Sequence, residues 1–307
     1  MSDFARATYE VARKEFLQHV RSTRLIVVAI LFMISLIVTT IVLPVTLGFT
    51  EFFEEAPEGN EEFYVPSGEN FAMTLFLTIP ILGGVFFIQV LSIVMTSDGV
   101  CSEWHNRSIF LLLSKPVPRM AFVLGKFFGS VVPLAVLVAL LMMIDYAILQ
   151  AVFPGTSDGT DVARFFGGLG ILVIGLTVFA TMGLFFSTLT RSTLASLFMT
   201  FGVAFLVLPL VGLIGEFNLW ADQENAFDQD GIDPDAAKYD WSRYLNPGTI
   251  MSKSTEVIGG EDFRFGLTFL VPTFAPAHTW LAVVSGFAFI GVFLLGALTI
   301  VQYRNFE

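Results

Sequence analysis

Charge is scarce in this chain, so a charge set among apolar residues is the first place to look for chemistry. Asp145 is the lone acidic residue well inside a long apolar run, about six residues from that run's outer end. An ionisable group there is costly and marks a transport or gating role by default. The competing reading is a wet position reached by snorkelling, and proton coupling would need a chain of such groups that the other runs do not offer. Gly125-Lys126 is the one Gly-Lys pair, but a phosphate-cradling loop needs G-x-x-x-x-G-K-[ST]. Phe127 follows the pair and Met120 stands where the first Gly belongs, so this chain does not bind ATP through a P-loop. The acidic stretch Asp228, Asp230, Gly231, Asp233, Asp235 resembles part of a calcium loop, yet Ala237 stands where the bidentate Glu is required. A solvated acidic loop is the simpler reading. His19, His105 and His278 lie far apart, and Cys101 is the only cysteine, which excludes an intramolecular disulfide or a Cys-based metal site. No H-E-x-x-H or G-x-S-x-G occurs, so no catalytic, cofactor or metal residue is assigned within this chain.

The elements that must carry these residues are membrane spans. The chain has 307 residues, of which 55% are hydrophobic and 14% charged, with a mean hydropathy of +0.76. Soluble domains are nearer a quarter charged. A spanning helix needs roughly 20 apolar residues. Uncharged runs at 25–50, 70–97, 165–190 and 192–215, a run at 127–157 broken only by Asp145, and a last one at 265–303 give six candidate spans. In lipid each must be helical, because unpaired backbone groups find no water there. The expected fold is an all-α membrane bundle, its first run a retained span rather than a cleaved leader.

Orientation follows Lys and Arg in the loops. With the N-terminus inside, the inner segments hold Arg6, Arg13, Lys14, Arg21, Arg24, Arg107, Lys115, Arg119, Lys126, Arg191 and Arg304, which is 11 of the 16 basic residues. The 50–70 loop has seven Glu and no basic residue, so it belongs outside. Both termini are therefore expected in the cytoplasm. The outer loops hold 20 of the 27 acidic residues, and Lys is scarcer than Arg. Strong like charge keeps a surface soluble, and we read this one as a halophile's. A cation-attracting outer vestibule is the rival reading.

Residues 1–24 precede the first span. Ala5, Tyr9, Ala12, Phe16 and Val20 recur on one narrow helical face, with Arg6, Glu10, Arg13 and Lys14 elsewhere on the wheel. This predicts an amphipathic helix in the cytoplasmic interface, Tyr9 and Phe16 toward lipid and the basic residues toward headgroups. The segment 216–278 is expected to be an extracytoplasmic cap, ending in a re-entrant or interfacial piece at 265–278 that Pro272 and Pro276 keep from crossing. Gly125 and Gly129 are spaced for close helix packing.

The inner segment 98–120 is the most informative. Asp98 and Glu103 follow a span, Ile109 to Leu113 is apolar but too short to cross, and Lys115-Pro116-Val117-Pro118-Arg119 stops the helix. An exposed apolar patch of this kind marks a partner site or packs on its own bundle. Asp98-Gly99, Glu103, Ser108-Ile109, Leu111-Leu112-Leu113-Ser114, Pro116, Arg119 and Gly125-Lys126 resemble the cytoplasmic signature of ABC-2 type transporter permeases. The resemblance is nearest to the subgroup containing the permease of nitrous-oxide reductase maturation. Arg107 replaces a Gly of that pattern. Tyr244-Leu245-Asn246-Pro247 also resembles a segment of the subgroup between its last two spans.

The resemblance implies the transmembrane subunit of an ATP-driven transporter, a translocase part that is not an enzyme by itself. It implies that residues 101–115 form a coupling helix docking into a groove on a separate ATPase subunit, which binds the ATP and Mg. It also implies a second permease chain, as homodimer or heterodimer, and outward transport. Asp98, Glu103, Arg107, Ser108, Leu111, Leu112 and Arg119 would carry the coupling. Glu103 would pair with basic groups on the ATPase or with Arg107, while Leu111 and Leu112 would fill its groove. An ATP-independent channel or carrier would instead need ion-binding residues near the bilayer centre, which the spans lack. A non-transporting scaffold subunit is the third reading.

Overall fold

The computed structural model describes residues 3–37, 88–105, 118–152, 159–190, 192–212, 244–259, 265–268, 271–274 and 278–303. In chain order the helices are α1 (Asp3–Val20), α2 (Thr23–Ile37), α3 (88–97), α4 (Cys101–His105), α5 (Arg119–Val152), α6 (Gly159–Leu189), α7 (Thr193–Gly212), α8 (Pro247–Gly259) and α9 (Thr279–Tyr303). Strands β1 (Phe265–Thr268) and β2 (Val271–Phe274) stand between α8 and α9.

Among the described residues four helices are long and apolar enough to cross a membrane: Arg119–Ile148, Val162–Leu189, Thr193–Gly212 and Thr279–Tyr303. At 1.5 Å per residue the shortest, of 20 residues, reaches about 30 Å. A fifth is possible if α1 and α2, which meet at a 54° bend, count as one broken span. Ser22 forms that bend, its Oγ accepting the Leu25 N–H at 3.2 Å and so capping α2. The rest of the first two expected spans lies outside the described residues.

The bundle is built around α6. Its apolar window is 72% buried, against 44% for α5 and 28% for α7 and α9, so α6 is the central helix and α7 and α9 are peripheral. Lipid tails are as apolar as Leu, so close packing and polar contacts must hold such helices together. Leu172, Leu176, Phe179 and Met182 of α6 meet Leu134, Val138 and Met142 of α5 and Ile93 of α3 in the main core. A second core nearer α1 joins Val123 and Phe127 to Leu184, Leu298 and Val301. Gly183 lets Thr96 of α3 approach the α6 backbone, and the Ser92 hydroxyl donates to the Leu176 carbonyl at 3.0 Å. α7 contains a π-helical turn, Val203–Val207, between two α-helical stretches.

Between the last two spans α8 packs among the helices, and β1 and β2 form an antiparallel pair that sets Phe265 against Phe274 and Leu267 against Pro272. Proline fits there because each strand of a two-stranded sheet is an edge. Every residue from Pro247 to Thr255 is buried. α8 lies along α6 where Gly168 and Gly175 leave room, Ile258 filling the first notch and Met251 the second, while Ile250 also reaches Gly286 of α9. Gly175 is near the middle of Val162–Leu189, so α8 runs about halfway into the bundle.

Candidate functional site

Glu103 sits in α4, the short helix that opens the 98–120 segment. Its Oε1 lies 3.0 Å from Nζ of Lys126 on α5 and 3.2 Å from Nζ of Lys14 on α1. Oε1 of Glu15, also on α1, holds the Lys126 ammonium from a second direction at 2.7 Å. Lys14 is 3.9 Å from the same Glu15 oxygen, and His19 Nε2 lies 3.8 Å from the other one. The Lys126 side chain is 2% exposed, Glu15 5% and Glu103 9%, whereas Lys14 is 55% exposed and forms the wet edge of the group. Two carboxylates and two ammonium groups share one site, and their formal charges cancel. Buried charges persist when paired in this way. The Phe122 ring adds a face 5.1 Å from the Lys126 ammonium.

The local sequence explains how the charges meet. Gly125 and Gly129 present no side chain toward α1, and a Cβ at either would strike it: Val11 and the Thr8 carbonyl at Gly125, Glu15 and the Ala12 carbonyl at Gly129. This close contact delivers Glu15 to Lys126, the residue next to Gly125. The side of α1 that meets protein is therefore Thr8, Val11, Ala12 and Glu15. Tyr9 and Val20, on the predicted apolar face, are 57% and 43% exposed.

α4 is pinned on its other side as well. The Ser187 hydroxyl of α6 accepts the Val100 and Cys101 amides at 3.0 and 3.1 Å, which satisfies donors at the helix start that have no partner within the helix. Cys101 Sγ donates to the Ser187 carbonyl at 3.2 Å. A five-residue helix has no stability of its own, so these anchors order it. The arrangement performs no bond chemistry. It is a joint that ties the root of one surface segment to α1, α5 and α6.

The sequence-predicted residues divide into four groups. Glu103 is at the joint, with Asp98 half-buried just before it and accepting the Ser102 amide at its carbonyl. Within the described residues Lys126 and Lys14 hold Glu103; the expected pairing with Arg107 falls on a residue outside them. Arg119 is exposed at the start of α5, its guanidinium donating to the Gln302 carbonyl of α9 at 3.1 Å. This ties two helix ends and suits the negative C-terminal end of α9. Asp145 is buried, 1% exposed, near the far end of α5, 19 residues or about 28 Å along the helix from Lys126. Arg107, Ser108, Leu111 and Leu112 lie outside the described residues.

The sequence reading missed Glu15 and Ser187, and took Lys14 and Lys126 as inner basic residues, Lys126 also as part of a Gly-Lys pair, without placing either at a site. One signal was available for Lys126, since a lysine leading into an apolar span is itself a candidate functional residue. For Glu15 the signal was its place beside Ala12 and Val11, facing the small residues of α5. Among the described residues no group of three or more His, Cys, Asp or Glu could hold a metal ion.

A comparison with curated proteins found no match. The family described as ABC-2 family transporter protein matches residues 9–304, from within α1 to the residue after α9. That span takes in the joint, the central helix and the inserted α8 together, and the chain is a multi-pass membrane protein belonging to the ABC-2 family of transporter proteins.

Proposed function

We propose that the chain is the permease subunit of an ATP-driven exporter, in which a separate ATPase docks on the 98–120 segment and two permease chains enclose the path. Members of the family normally work with an ABC ATPase subunit. The observation that carries this reading is the fixing of Glu103 by Lys126 and Lys14, with α4 also bonded to Ser187. A segment that passes on the motion of a partner must be stiff where it joins the spans, and α4 is bonded to three helices at its root. In this reading six spans cross the membrane, both termini face the cytoplasm, and ATP and Mg stay on the partner. Arg107, Ser108, Leu111 and Leu112 supply the docking surface, Arg119 closes it against α9, and Asp145 is the residue assigned to gating or substrate contact. The acidic outer loops suit a halophile, and the resemblance over 98–126 favours the subgroup containing the permease of nitrous-oxide reductase maturation.

The test is co-purification of the tagged full chain from its native membranes, beside Leu112→Asp and Glu103→Ala. An ATPase recovered with the wild type and lost with Leu112→Asp supports docking. Glu103→Ala is expected to weaken recovery by loosening the root of the segment. Recovery of no ATPase with the wild type across several mild detergents would remove the reading and leave a carrier or scaffold, with Asp145 the next residue to change.

A further inference from the structure

A short turn, Asp98 to Val100, joins α3 to α4, so a pull on the joint's surface segment also acts on α3. The strip from α3 to α4 is fastened to α6 at successive levels. The Ser92 hydroxyl donates to the Leu176 carbonyl at 3.0 Å, Thr96 lies in the notch at Gly183, and the Ser187 hydroxyl accepts the Val100 and Cys101 amides. From Leu176 to Ser187 is about 17 Å of helix. The far end of the strip carries Gln89, which is 0% exposed. Its amide nitrogen donates to the Met251 sulfur of α8 at 2.7 Å. Met251 fills the notch at Gly175, beside the Leu176 carbonyl that Ser92 holds, so this side chain of α8 ends where α3 meets α6. Two polar atoms of α3 are poorly served in this register. The Gln89 carbonyl oxygen and the Ser97 hydroxyl are buried without a hydrogen-bond partner among the described residues, and a thioether is a weak acceptor for the Gln89 amide. Buried polar atoms are nearly always paired. An unpaired one costs free energy that a shifted, hydrated position recovers.

We propose that Gln89 is a releasable latch between α3 and α8. With α8 seated, the Gln89 amide is held on Met251 while its carbonyl goes unpaired. Drawing α3 along α6 from the α4 end frees Met251 from the Gly175 notch and lets α8 leave. A weak bond with an unpaired acceptor beside it suits a part that must come away. A part seated for good would be fastened as α4 is, by a hydroxyl and by charges. The latch makes the cytoplasmic docking segment and the helix wedged into the far half of the bundle one mechanical unit, with α3 as the rod between them. It stands without the proposed function. That a docked ATPase is what draws α3 rests on that reading.

The test is hydrogen exchange, read by mass spectrometry on the full chain in nanodiscs with no ATPase present, following the amides of α8. Gln89→Leu removes the unpaired carbonyl and loses only the weak bond to sulfur, so α8 exchange is expected to slow roughly fivefold or more. Met251→Leu keeps the bulk but strands the whole Gln89 amide, so exchange should speed up by a similar factor. The two changes together should return the slow rate of Gln89→Leu, because no polar group is then stranded. Packing damage alone would speed exchange in all three variants, and that result would overturn the latch, as would no change in any of them. Ser187→Ala frees the α4 end of the strip. It should speed α8 exchange severalfold, leave residues 140–151 of α5 unchanged, and lose its effect on α8 in the Gln89→Leu background. Equal loosening of α5, or an α8 that does not respond, would overturn the link through α3. Glu103→Gln acts on the same end of the strip from the joint and reads that link a second time where Ser187→Ala disturbs folding.

Discussion

The joint at Lys126 and the inserted helix α8 both bury polar groups within an apolar bundle, and they satisfy them in opposite ways. At the joint the charges are shared between elements: α1 gives Glu15 and Lys14, α4 gives Glu103 and α5 gives Lys126. α8 brings internal partners with it. Thr249 bonds the Asn246 carbonyl, Ser252 that of Gly248, Ser254 that of Met251 and Thr255 that of Ser252, at 2.6–3.2 Å. Its buried Lys253 pairs with Glu256 one turn on, at 2.7 Å. The joint therefore grips by charge and cannot lose a member without exposing its neighbours. α8 is seated by shape, in the notches at Gly168 and Gly175, and its hydroxyls keep an acceptor wherever the helix goes. Polar content alone does not distinguish a clamp from a wedge. The location of the partners does.

The largest expected effect is at the clamp. Lys126→Met leaves two buried carboxylates with only the exposed Lys14 between them and should cost about 3–5 kcal/mol, read as a lowered unfolding midpoint in mixed micelles. A variant within about 1 kcal/mol of wild type would show that the charges are not shared as the distances indicate. A smaller loss is expected at the wedge. Gly168→Val puts a side chain against Ile258 and the Ser254 carbonyl, and overpacking of this kind costs about 1–3 kcal/mol. The same unfolding measurement checks it, and a small residue such as Ala should do less harm than Val. The smallest effect is expected from Lys253→Met with Glu256→Gln, which removes both members of a pair internal to α8 and should fall within about 1 kcal/mol. A loss there as large as that of Lys126→Met would erase the contrast between the two regions.

Much of the architecture was legible in the sequence because lipid imposes a simple rule. Runs such as 165–190 and 192–215 had to be helices, and their described residues form α6 and α7. The site was only half legible. Glu103 stood out as a charge just after a span, but its partners Lys126 and Lys14 are 23 and 89 residues away, and no periodicity reports a contact between helices that far apart. α8 was hidden for a different reason. Ser252, Lys253, Ser254 and Thr255 read as solvent-facing, and what buries them is space left by Gly168 and Gly175 on another helix. The Gly125 and Gly129 spacing was read correctly as close packing, though nothing in it named α1 as the partner.

Cys101 is the only cysteine in the chain. It is 1% exposed, with its sulfur lodged against the Ser187 and Thr190 carbonyls of the segment ending α6. Any motion that parts α4 from α6 uncovers the one sulfhydryl the molecule has. The protein thus carries a native labelling reporter where α4 meets α6, and the wild-type chain needs no introduced thiol for such a motion to be timed by alkylation.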